Sequence, residues 1–356
     1  MLPSLAWNNY DKTQVGLALG IKLKDKFNFL ALPMYGTGSK NFTGYLETRL
    51  NLQAKTWFSY SLGLQAKRFS YLLFPEDLCY NLLQPELSIS PIWKNNARLS
   101  FKYKPSLIWQ EYLLGGRKTQ FFYINRAKLS YQVENSKWAT YNLLALEQGN
   151  NFGIISLKSS FKFKYQRKIG NALHLDAYIG NFLWNKRLSS NIDAPLPILQ
   201  LSGSTNSGIY WLQKDYAFQD FYLDRNAQDK FFSKQQNASE GGFTCLTNLA
   251  NVNGTMLSFG ARTDVGLGLK LKRYFNIQGY LHVAYAKNKK LDGDVYAESG
   301  LSLLLWQEVF AFHLPFYLSK NIKENQRSIY GIEKGDWTKR ITFSIDLLSL
   351  RRKLEN

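Results

Sequence analysis

The sequence predicts an all-β protein, a transmembrane antiparallel β-barrel of about 16 strands, within a range of about 14–18. Three observations predict it. The first is the stretch from Ile154 to Tyr165. From Ile155 its odd positions read Ile, Leu, Ser, Phe, Phe, Tyr, and its even positions read Ser, Lys, Ser, Lys, Lys. A period of two places alternate side chains on opposite faces of a strand. The run matches the roughly 9–11 residues that a tilted strand needs to cross a bilayer. The second is an aromatic content of 15%, with 22 Tyr, 24 Phe and 9 Trp, as rings at two bilayer interfaces require. The third is a mean hydropathy of −0.30 with no run of 18 apolar residues. The greasiest stretch, Phe310 to Leu318, contains His313 and Pro315, so helical membrane spans are excluded. A barrel is not excluded, because its polar inner face lowers the average. An aromatic-rich extracellular sandwich is the soluble alternative, but so many long strands are hard to arrange in one sandwich.

Taken in order, Gln14 to Lys22 alternates, and Phe27 to Met34 is a more continuous apolar run. Gly36-Thr37-Gly38-Ser39 marks a turn. Gly44 to Leu52 and Trp57 to Lys67 form a hairpin. Residues 70–84 contain Pro75 and Cys79, break the pattern, and read as a long loop. Strands follow at Leu87 to Ile92, Ala97 to Lys104, Tyr123 to Val133, Trp138 to Glu147, the opening stretch, and Leu173 to Ile179. Residues 189–207 and 214–241 read as loops, the second a surface loop, with Gly208 to Gln213 strand-like between them. Leu257 to Leu269, Phe275 to Tyr285, Ala297 to Trp306 and Glu308 to Leu318 alternate again. Residues 319–336 are polar and loop-like, and Thr338 to Leu348 is the last strand. No helical period persists and no linker appears, so residues 1–356 form one domain. The first residues hold no export signal, so a mature form or a piece of a longer precursor is expected.

The formal net charge is +19. A nucleic-acid module has no signature here, so nucleic acid is not an expected partner. The basic residues instead recur singly on one strand face. Lys102, Lys104, Arg126, Lys128, Lys158, Lys162 and Lys164 would line the lumen and attract anions. Basic loops would hold the phosphates of outer-membrane lipid and lipopolysaccharide.

Catalytic chemistry is sparsely supplied. His174, His282 and His313 are isolated, with no HExxH spacing, so no metal or cofactor is expected. His282 shares a face with many serines, which keeps a barrel-borne hydrolase open, although no GxSxG occurs. The loop around Asp215, Tyr216, Phe218, Tyr222, Asp224 and Arg225 mixes acids with aromatics. It reads as a self-packed cap over the barrel mouth. Cys79 and Cys245 show no CxxC pattern and read as separate thiols.

Several segments carry a resemblance. Trp7-Asn8-Asn9-Tyr10-Asp11-Lys12, Ala31 to Lys40, Asp215-Tyr216-Ala217-Phe218 with Tyr222 to Asn226, and Leu314-Pro315-Phe316-Tyr317-Leu318-Ser319 look like parts of one region. That region is the C-terminal barrel of large Bacteroidetes metallopeptidases of the gluzincin aminopeptidase type. The resemblance implies a barrel integral to a bacterial outer membrane, an anchor or a subunit beside other envelope proteins. It does not imply peptidase activity, because the zinc signature has no counterpart in this sequence. A pore for anionic solutes is the alternative function, and a hydrolase the second.

Overall fold

A computed structural model describes residues 1–346, except 25, 54–57, 73–77, 92–96, 114–115, 167–170, 187–197, 204–216, 220, 225–230, 238, 250–251, 266–273, 289–291 and 307. Among the described residues one antiparallel sheet holds seventeen strands. They are β1 (Leu2–Asn8), β2 (Lys12–Leu23), β3 (Phe27–Gly36), β4 (Phe42–Gln53), β5 (Phe58–Leu72), β6 (Leu78–Pro91), β7 (Ala97–Tyr103), β8 (Ser106–Leu113) and β9 (Arg117–Glu134). The rest are β10 (Trp138–Gly149), β11 (Phe152–Gln166), β12 (Asn171–Asn185), β13 (Thr255–Asp264), β14 (Phe275–Lys287), β15 (Asp294–Leu305), β16 (Phe310–Leu318) and β17 (Thr342–Ile345). Each pairs with the next in chain order. The exception is β7 and β8, which both lie between β6 and β9. They are two halves of one stave broken at Lys104-Pro105, where proline removes a ladder donor. Seventeen strands therefore make sixteen staves. The fold is an all-β transmembrane barrel.

Strand β11 follows the alternation. Ile155, Leu157, Phe161, Phe163 and Tyr165 point outward and stay 39–45% exposed. Ser156, Lys158, Ser160 and Lys162 point inward and are half-buried. An apolar belt of this kind repeated round the wall far exceeds the few hundred Å² a soluble surface tolerates, and it fits lipid.

The connections sort to two ends. The C-terminal ends of β2, β4, β9, β11 and β15 lie at one end of the wall, the open end. The opposite end carries the 69-residue connection from β12 to β13 (residues 186–254) and the one from β16 to β17. The β12–β13 connection is not a surface loop. Its described parts fold into the lumen, where Leu199, Leu201, Phe218, Phe243 and Val252 are buried against the wall. At this plug end the wall's inner face is apolar too, with Leu78, Tyr80, Leu82, Ile108, Ile124, Phe182, Met256 and Leu318 in the same core.

That core explains several departures from the sequence reading. Residues 70–84 are not a long loop: β5 runs to Leu72 and β6 starts at Leu78. Both faces of early β6 are buried or half-buried, so the polar–apolar alternation that marks a strand is absent there. Strand β8 is masked in the same way. Residues 319–336 hold an α-helix, α1 (Lys320–Tyr330), whose buried side chains are only Ile322, Asn325 and Gln326. A stripe that narrow and polar leaves little helical period. The last strand is shorter than Thr338 to Leu348, because Trp337–Arg340 forms a 3₁₀ turn first. The strand-like run 208–213 lies outside the described residues.

One buried carboxylate ties the plug-end turns together. Asp11, between β1 and β2, accepts from Asn8 Nδ2 (3.1 Å), Gln14 Nε2 (2.8 Å), Ser39 Oγ (2.7 Å) and Ser70 Oγ (2.6 Å). Those donors come from the end of β1, β2, the β3–β4 turn and β5. The β3–β4 turn can come this close because it is glycine-rich: a Cβ at Gly36 would lie 2.8 Å from Asp11 Cβ, and one at Gly38 would lie 2.7 Å from the Tyr10 carbonyl.

The first and last strands meet through the insertion. Trp7 of β1 packs on Phe232 (centroids 4.8 Å), Phe232 on Phe231 (5.7 Å), and Phe231 stacks on Phe343 of β17 (5.0 Å). Backbone bonds accompany the rings: Gln236 N–H donates to the Phe343 carbonyl (2.6 Å) and Asn9 N–H to the Leu223 carbonyl (2.8 Å).

Replacing Asp11 with Ala would strand several buried donors, each costing about 1–3 kcal/mol. Asp11→Ala is expected to lose about 3 kcal/mol or more of stability, read as a lower urea midpoint of the compact band in unheated SDS gels. An unchanged midpoint would show that the turns hold without it.

Candidate functional site

The plug is bolted to the wall at buried polar points. Glu298 of β15 is fully buried. Its oxygens accept from His282 Nδ1 (2.9 Å), Thr244 N–H (2.7 Å) and Cys245 N–H (3.0 Å). His282 and Glu298 are register partners on β14 and β15, so the wall delivers both side chains to one place. Ser202 Oγ donates to the Cys245 carbonyl (2.6 Å), and Thr342 Oγ1 of β17 donates to the Thr244 carbonyl (2.6 Å). Burial, with the Glu298 carboxylate beside it, pushes the Cys245 thiol well above its ordinary pKa. The α1 helix adds a second clamp: Gln326 Nε2 donates to the Leu246 carbonyl (3.0 Å), and Thr247 Oγ1 donates to Asn325 Oδ1 (3.0 Å).

Across the lumen, Phe218 stacks on Tyr80 of β6 at 3.8 Å and 11°, with Tyr71 of β5 edge-on at 5.5 Å. Phe218 has φ +50°, a left-handed conformation that costs a side-chain-bearing residue about 1–2 kcal/mol. Burying its ring in this pocket contributes about 1.5–3 kcal/mol and offsets the strain. Lys67 Nζ of β5 caps the Phe218 and Gln219 carbonyls at 3.5 and 3.4 Å. Staves β6 and β15 are eight apart among the sixteen described, so the plug reaches from one side of the wall to the far side.

The loop signature is therefore part of the plug. Phe218 and Tyr222 are buried. Asp224 is buried too and accepts from Asn9 Nδ2 (2.9 Å) and Tyr10 O–H (3.0 Å) of the first turn. Asp215, Tyr216 and Arg225 lie outside the described residues.

The predicted lumen cations stand on one half of the wall. Lys102 Nζ and Lys104 Nζ approach Glu86 at 3.2 and 3.7 Å, joined by Arg49 at 3.4 Å. Arg126 pairs with Glu147 (3.3 Å) and Lys164 with Glu134 (3.9 Å). Lys128 is the register partner of Lys102, and Lys162 that of His174. Lys158 lies on the same inner face of β11. Opposite, β12 to β15 carry Asp176, Asp264 and Glu298 with Arg262, which pairs with Asp176 at 2.7 Å.

The elements of a hydrolase are split between two histidines. Glu298 holds His282, while Ser302 Oγ contacts His313 Nδ1 (2.8 Å) and Ser344 Oγ contacts His313 Nε2 (3.3 Å). On β15 the two sets are four residues apart, about 13 Å along the strand. Cys79 and Cys245 are buried free thiols. Sequence reasoning missed Asp11 and Glu298, because nothing in one strand says what its neighbour presents. It also passed over Arg98, which shares the inner face of Lys102.

These features define a plugged transmembrane β-barrel. Among solved structures, BamA from Haemophilus ducreyi lacking POTRA domains 1–3 is similar at TM-score 0.51 and 9% identity, over 89% of this chain and 66% of that one. CdiB from Acinetobacter baumannii gives TM-score 0.47 and 8% identity over 91% of this chain and 57% of that one. CdiB from Escherichia coli gives 0.45 and 9% over 90% and 59%. The BamA likeness shows the barrel fold alone. The chain spans less than two thirds of the length of each of these proteins. No family model matches the chain, and no curated protein matches it either.

If Glu298 holds the plug, Glu298→Ala in a Cys79→Ser background should expose Cys245. Maleimide labelling of Cys245 in folded protein at pH 8 is expected to quicken at least about tenfold, as losing hydrogen bonds to a buried carboxylate, each worth about 1.5–3 kcal/mol, would allow. Labelling as slow as in the parent would remove Glu298 from that role.

Proposed function

We propose that this chain is an integral barrel of a bacterial outer membrane, closed by its own insertion, which serves as a membrane anchor or as a subunit of a cell-envelope complex. The observation that carries this reading is the plug spanning opposite walls, fixed by Glu298 on one side and by the Phe218 pocket on the other. A carrier of solutes needs a clear path, and an anchor does not. The resemblance to the barrel of gluzincin-type metallopeptidases supports the same reading: such a barrel would tether a soluble envelope partner. The plug end faces outward, because long connections are extracellular and short turns periplasmic in barrels of this kind. The exposed Lys12 and Lys40 at its turns then meet lipopolysaccharide phosphates.

A second reading, passage of anionic solutes, is favoured by the basic half-wall of Lys102, Lys104, Arg126, Lys128, Lys158, Lys162 and Lys164. One assay separates the two. In planar bilayers the purified protein is expected to carry no steady current, and a Glu298→Ala, Phe218→Ala double variant should flicker open. A steady anion-selective current from the unaltered protein would overturn the anchor and favour the pore. Orientation is checked with an epitope tag inserted in residues 333–335, after α1. The tag should bind antibody on intact cells, and staining only after permeabilisation would reverse the assignment.

A further inference from the structure

Among the described residues the plug fills one end of the lumen and leaves the other hollow. At the open end a cavity of about 820 Å³ is lined by β5, β6, β7, β9, the β9–β10 turn and β11. That volume is the size of a small-molecule site. Its wall is ordered in rows by the strand register. Ser59 pairs with Ser90, and Ser100 pairs with Ser130. Ile89 pairs with Phe101, which puts Ser90 beside Ser100. Four inward hydroxyls therefore run across four adjacent staves at one level. Neighbouring staves are about 4.8 Å apart, so the row is about 14 Å long.

Cations bracket this row. One inward step toward the plug are the register partners Lys102 and Lys128, about 7 Å along the strands. One step toward the mouth is Arg98, paired in register with Gln132; Lys164 lines the same cavity together with its ion-pair partner Glu134 (3.9 Å), which leaves Arg98 as the cation for a ligand. Arg98 forms no ion pair with the described residues. The row's own hydrogen bonds are long: Ser59 Oγ donates to the Ser90 carbonyl at 3.2 Å, and Ser130 Oγ to the Ser100 carbonyl at 3.4 Å. Ser130 also bonds the Tyr141 side chain. A hydroxyl rotates to suit its partners, so those of the row can turn to a ligand. A line of hydroxyls between cations matches a molecule that carries its own hydroxyls and an oxyanion.

We infer that the open-end cavity is a binding site for an anionic saccharide, a sugar bearing a phosphate or a carboxylate. Arg98 takes the oxyanion, and Ser59, Ser90, Ser100 and Ser130 with Gln132 take ring hydroxyls. The site is independent of whether the plug conducts, since it lies on the open side of it. A bare anion would use Arg98 and leave the serines idle. A neutral sugar would do the reverse.

The test is calorimetric titration of the whole chain in a detergent without sugar headgroups, with glucose 6-phosphate, glucuronate, glucose and inorganic phosphate as probes. The charged sugars are expected to bind at least about tenfold more tightly than either glucose or phosphate, the gain from one added charge-assisted contact. Arg98→Gln should weaken the charged sugars by about tenfold or more and leave glucose unchanged. Ser100→Ala with Ser130→Ala should erase the preference for sugar phosphate over inorganic phosphate. The compact band in unheated gels reports that each variant folds. Absence of binding by any probe at millimolar concentration would overturn the site, as would equal binding of glucose and glucose 6-phosphate. Phosphate binding as tight as the sugar phosphate would reduce it to a plain anion site and overturn the saccharide.

Discussion

A carboxylate sealed inside a barrel is cut off from bulk water, so each of its oxygens must find a donor on the wall or on the plug. Asp11, Asp224 and Glu298 each meet that demand, and the rest of the plug end depends on how they do so. Each draws donors from parts of the chain far apart in sequence. Asp11 joins the first turns to β5, Asp224 joins the first turn to the insertion, and Glu298 joins β14 and β15 to the insertion. A buried charge of this kind adds little net stability compared with an apolar replacement, but it tolerates only one arrangement of its neighbours. The apolar core at the same end, built round Phe218, Phe243 and Met256, contributes burial without that directionality.

The sequence made the wall legible wherever the lumen is wet. On β4, β7, β9 and β11 an apolar outer face opposes a polar inner one, and the period of two stands out. Where the lumen is dry the signal vanishes. Leu78, Tyr80 and Leu82 face the plug rather than water, so early β6 looks irregular, and Ile108 hides β8 for the same reason. The helix at Lys320–Tyr330 escaped notice because one buried isoleucine carries its apolar face. The acidic-aromatic loop was recognised as a unit but placed at the surface. Its aromatic residues suit a buried site, and only strand pairing reveals the pocket of Tyr71 and Tyr80 that receives Phe218. The predicted cations share the register positions of one strand face. Their gathering on one half of the wall follows from the order of the staves, which no single strand announces.

That uneven distribution gives the lumen a polarity across its width. Staves β4 to β11 present mostly cations, several gathered on Glu86, while β12 to β15 present Asp176, Asp264 and Glu298. The plug rests mainly on the second half, where inward residues from Asn276 to Ala286 on β14 are buried at every alternate position. The open cavity is left to the first. Occupied and vacant halves therefore differ in charge as well as in packing, and a solute entering from the open end meets the basic half-wall first.

The aromatic chain from Trp7 through Phe232 and Phe231 to Phe343 carries a consequence for how the molecule is made. Its outer members sit near the two ends of the chain, and its middle members come from between β12 and β13. Among the described residues, the side-chain contacts that link the wall's first and last strands run through this intervening segment. Contacts so distant in sequence form late, after the local hairpins. The insertion is thus a clasp as well as a stopper: the step that shuts the mouth is also the step that joins the ring.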